Sequence, residues 1–184
     1  LHTANAGDSH ILLLTRRGAE RSSGGGCDGE LVSVRLSEEH SGKSTSESER
    51  VEAAGGTMAN ARVAGNLAVT RALGDHTLKG DPRGRGLTAE PCTGARAVDP
   101  RSDVGVLIVS DGVLEGIDDA ECARLVDAAL QLPPPRAAIT AAAAGGESAA
   151  SCHAAARSVV ERALAQGSKD NVSALFVRFD QPDG

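Results

Sequence analysis

"VGVLIVSDGVLEG", residues 104–116, is the stretch from which the fold can be read. Val104 to Val109 form a short apolar run rich in β-branched residues, and Ser110, Asp111 and Gly112 end it. Such a run bounded by turn residues reads as a buried strand. This one stops on a carboxylate. An ionised carboxylate at the rim of an apolar core is costly unless something positive meets it. A helix end, a basic side chain or a metal ion could do so, and the rest of the chain must decide among them.

Composition narrows the setting. The chain has 184 residues, 40% hydrophobic and 24% charged, which suits one globular domain or most of a larger one. With two Phe and neither Tyr nor Trp, the core must be built from Val, Leu, Ile and Ala. Burial per residue, and hence stability, is expected to be modest. A formal net charge of -6 without a long basic run argues against nucleic acid and anionic membrane surfaces as partners and agrees with a site that gathers cations. No apolar stretch approaches the roughly 20 residues of a membrane span. The opening LHTANAGDSH has no initial Met, basic n-region or apolar h-region. It reads as a chain entering in mid-domain, inside a strand, and the expected setting is intracellular, in cytoplasm or nucleus. The cysteines at 27, 92, 122 and 152 make no CxxC pair and read as isolated thiols, without the spacing of a zinc site or disulfide framework. The histidines at 2, 10, 40, 76 and 153 form no i, i+4 pair and read the same way.

Working outward from the central strand, HTANAGDSHILLL suggests two strands around a turn at Gly7-Asp8-Ser9. Residues 16–29 read as a polar, Gly-rich loop and 30–36 as a half-buried strand. Ser46 and Glu49 have capping-box spacing, with Gly55-Gly56 as the stop, predicting a helix near 47–54. A short hairpin is expected around Gly65-Asn66. Asp118 and Glu121 mark the start of a helix over 119–131, closed by Pro133 to Pro135. The Ala-rich segment 137–150 is either helix or a low-complexity insertion. An amphipathic helix near 152–165 then leads to a last strand within 172–179. Strands early, helices late and no strict βαβ alternation predict an α+β fold.

Asp170 precedes the last strand as Asp111 follows the central one. If the two strands are antiparallel neighbours, both carboxylates emerge at one end of a sheet. Converging carboxylate oxygens suit magnesium or manganese. On spacing alone, the commoner reading of Asp beside Gly or Asn is a turn residue.

The order of the motifs adds to this. GDSH (7–10), LSEEH (36–40), ERVEAAGG (49–56), RVAGNLAVTRALGD (62–75), LTAEP (87–91), LIVSDGVLEG (107–116) and GSKDNVSALFV (167–177) follow one another along nearly the whole chain. The series resembles the C-terminal half of the metal-dependent type 2C protein serine/threonine phosphatases. The resemblance implies an antiparallel β-sandwich flanked by helices, with the N-terminal part of the sandwich missing from these residues, and two or more magnesium or manganese ions at one end. It implies that Asp111 and Asp170 are metal ligands, with Asp8 and Glu115 at an outer metal position. A metal-activated water would attack phosphoserine or phosphothreonine in protein substrates, and the protein would be a monomer.

Three departures from the family pattern stand out. The family's phosphate-binding arginine and its DGHGG segment, whose aspartate bridges the metals, are absent from residues 1–184. Glu115 stands where the family has Asp, and Leu114 and Val106 replace residues that are commonly aromatic. The chain alone is therefore expected to be an inactive fragment; the alternative is a pseudophosphatase serving as a binding or regulatory module. Arg62, Arg71 and Asp75 are either a polar network beneath the site or ordinary surface charges.

Overall fold

The computed structural model describes residues 1–21, 27–133 and 146–179. It is a mixed α+β structure with antiparallel sheets, and it falls into two compact units. One holds residues 11–36 and the chain from 96 onward, with Leu1. The other holds residues 2–10 and 37–95.

In the first unit, strands β2 (His10–Arg21), β3 (Cys27–Arg35), β7 (Asp103–Val109) and β8 (Ala174–Arg178) form a four-stranded sheet in the order β3-β2-β7-β8. The central strand and the last strand are antiparallel neighbours, with Leu107 opposite Phe176 and Val109 opposite Ala174. Gly105 is needed here, because a Cβ would lie 2.4 Å from the Val177 carbonyl oxygen. Alternation places Leu12, Leu14, Leu31, Leu107, Val109 and Phe176 in one core. Helices α4 (Asp119–Gln131) and α5 (Gly146–Ala165) cover that face with Cys122, Ala123 and Val126, and with Ala155, Val159 and Ala163. The latter three recur every four residues, as one helix face requires. The alternate strand positions Ile108, Leu175 and Val177 are exposed.

Two expectations are corrected in this unit. Residues 16–21 and 27–29 are strand rather than loop, 22–26 lying outside the described residues: β2 runs to Arg21 and β3 begins at Cys27, with Arg17 opposite Glu30 and a register shift between Arg17 and Glu20. Pairing satisfies backbone groups along the two strands, so tertiary context overrides polar composition. The last helix begins at Gly146 rather than near 152, within the Ala-rich stretch read as either helix or insertion, while 134–145 lie outside the described residues. The helix at 119–131 is as expected, with the Asp118 side chain accepting a bond from the Glu121 N–H at 2.7 Å.

The second unit contains two small antiparallel ladders, β1 (His2–Asn5) with β6 (Cys92–Ala95) and β4 (Met58–Ala59) with β5 (Arg62–Val63). Thus β1 does not form a hairpin with β2; its partner comes from the far end of this unit. Val63 and Leu67 bridge around Gly65-Asn66, as the turn residues there suggest. Helix α1 (Thr45–Ala53) starts earlier than expected: Ser44 is its N-cap, without a side-chain cap bond, so the capping box at Ser46 does not form. It stops at Gly55, whose φ of 84° suits glycine. A second short helix, α2, spans His76–Lys79. Val51, Val63 and Leu87 form a small core.

Candidate functional site

Strand β7 leads directly into helix α3 (Asp111–Gly116), with Ser110 as its N-cap. Ser110 does not cap with its hydroxyl. Its Oγ instead donates to the Asn171 carbonyl (2.9 Å) and accepts from the Ser173 N–H (3.0 Å), while its own N–H donates to the Ser173 carbonyl (3.0 Å). The Ser168 hydroxyl adds a bond to the Gly112 carbonyl (2.7 Å). These four bonds pin the 168–173 segment against residues 110–112.

Gly112 allows that approach. A Cβ there would lie 2.6 Å from the Asn171 carbonyl oxygen and 3.2 Å from the Asp170 Cβ. The chain at Asp111 and the chain at Asp170 therefore lie at the same end of the β7–β8 ladder. Each carboxylate spends one Oδ1 on the next backbone N–H, from Gly112 at 2.9 Å and from Asn171 at 2.7 Å. Among the described residues, no basic side chain forms an ion pair with either. Of the candidate partners for Asp111, a basic side chain is thus ruled out among these residues. Asp111 is half-buried and Asp170 exposed, so solvent reaches both.

Glu115 lies four residues after Asp111 on α3 and is exposed; this spacing puts both on one helix face. Asp8 belongs to the other unit, in the bend that follows β1, where Gly7 takes a φ of 127°.

Of the two readings open for Arg62, Arg71 and Asp75, a polar network holds for Arg71 and a surface charge for Arg62. The partner of Arg71 is Glu47, which is 5% exposed. Arg71 donates to both Glu47 oxygens (2.7 and 3.0 Å), Arg50 does so as well (2.8 and 3.0 Å), and the Thr70 hydroxyl adds a bond of 2.6 Å. Burial pushes this carboxyl upward, yet the hydrogen bonds from Arg50, Arg71 and Thr70 outweigh it and hold the group far below the usual carboxylate range. Arg62 is exposed and bonds the Asn66 carbonyl, and Asp75 sits in the left-handed region (φ 51°) before α2. The Arg62 side chain is spent on the turn that follows β5, on the Asn66 carbonyl. Glu47 went unnoticed in the sequence because a Glu in a Ser/Glu-rich first helical turn looks like a solvated position; the Glu47–Arg50 spacing of three was the available signal.

The sequence also gave no hint that Cys92 lies beside Glu38 and His40. Ligand atoms of these three lie within 4.8 Å of one another. This departs from the reading of Cys92 and His40 as isolated groups.

Comparison with known proteins agrees with the architecture. The family model described as Protein phosphatase 2C matches residues 1–172. Protein phosphatase 2C homolog 1 of Schizosaccharomyces pombe is 33% identical over 184 residues, covering 100% of this chain and 42% of the relative. The protein of the same name in Saccharomyces cerevisiae is 32% identical, with coverage of 96% and 49%. The chain thus spans less than half the length of these relatives. Among solved structures, a C. elegans sex-determining protein superposes with a TM-score of 0.70 at 25% identity, covering 98% of this chain and 37% of the other. A phosphatase from a pathogenic strain of Toxoplasma gondii gives 0.65 at 27%, with 98% and 48% covered. With a family model matched over nearly its full length and a fold shared with these structures, the chain belongs to the protein phosphatase 2C family.

Proposed function

We propose that this chain is the C-terminal part of a metal-dependent protein serine/threonine phosphatase domain, in which Asp111 and Asp170 hold magnesium or manganese. The observation that carries this reading is the pinned approach of the segments bearing the two aspartates at one end of β7–β8, with neither carboxylate in an ion pair among the described residues. Hard oxygen donors, two carboxylates and room for water fit these ions and disfavour softer ones. When bound, such ions lower the pKa of water and neutralise charge on phosphoryl oxygens.

The protein's part is positional. The Gly112 and Asn171 N–H groups fix the rotamers of the two carboxylates. Ser110 and Ser168 hold the two supporting segments together, so the ligands are preorganised before any ion arrives. Glu115, reaching from the Asp111 face of α3, and Asp8 are proposed for outer metal positions. A second sheet layer completing a sandwich is proposed for the strand face bearing Ile108, Leu175 and Val177. Phosphoproteins are the proposed substrates, and the protein is proposed to act on them as a monomer.

Manganese binding followed by electron paramagnetic resonance tests the site directly. Asp111→Asn and Asp170→Asn should each weaken binding at least tenfold, and should abolish phosphopeptide hydrolysis in a protein that also carries the family's arginine and DGHGG motifs. Manganese bound equally by both variants would refute the ligand assignment. Intact manganese binding in a motif-complete protein that turns over no phosphopeptide would favour a pseudophosphatase.

A further inference from the structure

Residues 2–10 and 37–95 contain a second group of metal-ligating side chains. The Glu38 carboxylate, the His40 imidazole and the Cys92 thiol each offer a ligand atom, all within 4.8 Å of one another. Backbone pairing creates this meeting. Asn5 stands opposite Cys92 in the β1–β6 ladder. Its side-chain amide donates to the carbonyls of Gly7 (3.1 Å) and Glu38 (2.9 Å). The His40 N–H donates to the Gly7 carbonyl (3.1 Å), and the Thr70 N–H donates to the His40 carbonyl (2.9 Å). One residue, Asn5, therefore ties the strand carrying Cys92 to the segment carrying the other two.

His40 supplies a second, independent observation. It is 1% exposed, and its Nε2 has no hydrogen-bond partner among the described residues. Its Nδ1 accepts one long bond, from the Gly7 N–H at 3.4 Å. A buried polar nitrogen without a partner is unfavourable and calls for a ligand.

The donor set is selective. One sulfur, one nitrogen and one oxygen suit zinc, whereas all-oxygen sets suit magnesium and manganese. Three protein ligands around zinc leave a fourth position for water. Donor atoms at about 2.0 to 2.3 Å from a tetrahedral zinc lie about 3.3 to 3.8 Å apart, which falls inside the 4.8 Å within which the three ligand atoms already lie.

We propose that Glu38, His40 and Cys92 form a zinc-binding site, built from residues other than those proposed to hold magnesium or manganese. On binding, the Cys92 thiol releases its proton to solvent. The His40 ring proton resides on Nδ1 when Nε2 ligates, and the long Gly7 bond is the contact that yields. The ion cross-links β6 to the 38–40 segment.

Cobalt titration of the purified protein tests this, because a thiolate ligand to cobalt gives a near-ultraviolet charge-transfer band. A single equivalent of cobalt should produce the band and zinc should bleach it. Cys92→Ser should lose the band, while Cys122→Ser and Cys152→Ser should keep it. Outer-shell partners alone are worth about 10- to 100-fold in metal affinity, so Glu38→Gln, at an exposed position, should cost at least about tenfold, with an unchanged circular dichroism spectrum. Asp111→Asn should keep the band, which separates this site from the one proposed above. No band in the unmodified protein, a band that survives Cys92→Ser, or unchanged affinity in Glu38→Gln would overturn the proposal.

Discussion

Replacing Glu47 tests whether the second unit is held together by a buried charge. The carboxylate takes five short hydrogen bonds, four from the two guanidinium groups and one from Thr70, while its side chain is 7% exposed and that of Arg71 16%. Glu47→Ala would leave Arg71 largely desolvated and unpaired, and breaking one side of such a pair costs about 3–5 kcal/mol. An exposed pair would cost about 0–1 kcal/mol, so the two cases are well separated. The pH dependence gives a second reading. The folded carboxyl titrates below its ordinary value of 4.5, so in the window beneath 4.5 the unfolded chain binds a proton that the folded chain does not. Glu47 therefore contributes its full stabilisation above that value and loses it progressively as pH falls through the acid range. Urea unfolding monitored by hydrogen exchange in residues 37–95, repeated from pH 7 to pH 3, measures both effects. Glu47→Gln should remove its share of the acid slope. A loss below 1 kcal/mol for Glu47→Ala, together with an unchanged slope for Glu47→Gln, would refute the assignment.

Gly112→Ala should push the 168–173 segment away from α3, because the new Cβ would meet the Asn171 carbonyl oxygen at 2.6 Å. A cost of about 1–3 kcal/mol is expected from such overpacking, with manganese binding weakened more than thermal stability, as parallel titration and melting would show. Burial, helped by the carboxylates of Asp119, Asp118 and Glu121, pushes the Cys122 thiol up to about 12. Cys122 should therefore resist alkylation at pH 8 in the folded protein and react only after denaturation, which peptide mass spectrometry would show.

What could be read from the sequence depended on how far apart the cooperating residues lie. Helix α4 was legible because its signals are local: Asp118 caps it three residues before Glu121, and Pro133 follows its end. The β7–β8 pairing was legible because both runs are apolar and each is flanked by an aspartate. The β2–β3 hairpin was underestimated because its polar, Gly-rich end carries no hydrophobic alternation, and backbone pairing decides it. Cys92 and His40 could not be connected by spacing, since their meeting depends on β1 pairing with β6 across most of the second unit. Glu47 was hidden for a related reason. Its importance comes from Arg71 as well as the nearby Arg50, and only the folded chain shows that Arg71 reaches it.

Strand β2 has two neighbours whose distances along the chain are very different, and this bears on how the protein assembles. Its link to β3 runs from Arg21 to Cys27, whereas β7 begins only at Asp103. Each doubling of a flexible loop adds about 0.6 kcal/mol of closure entropy, so the roughly four doublings between these connections add about 2.4 kcal/mol. The β2–β3 hairpin should consequently form early, during synthesis, and wait for the rest of its sheet. Most of the intervening chain is residues 37–95, and once these fold they shorten the effective tether. A lesion such as Glu47→Ala would then slow the arrival of β7 at its place beside β2, although it touches neither strand. The rate of sheet formation, read by stopped flow, would carry the signature of a residue in the other unit.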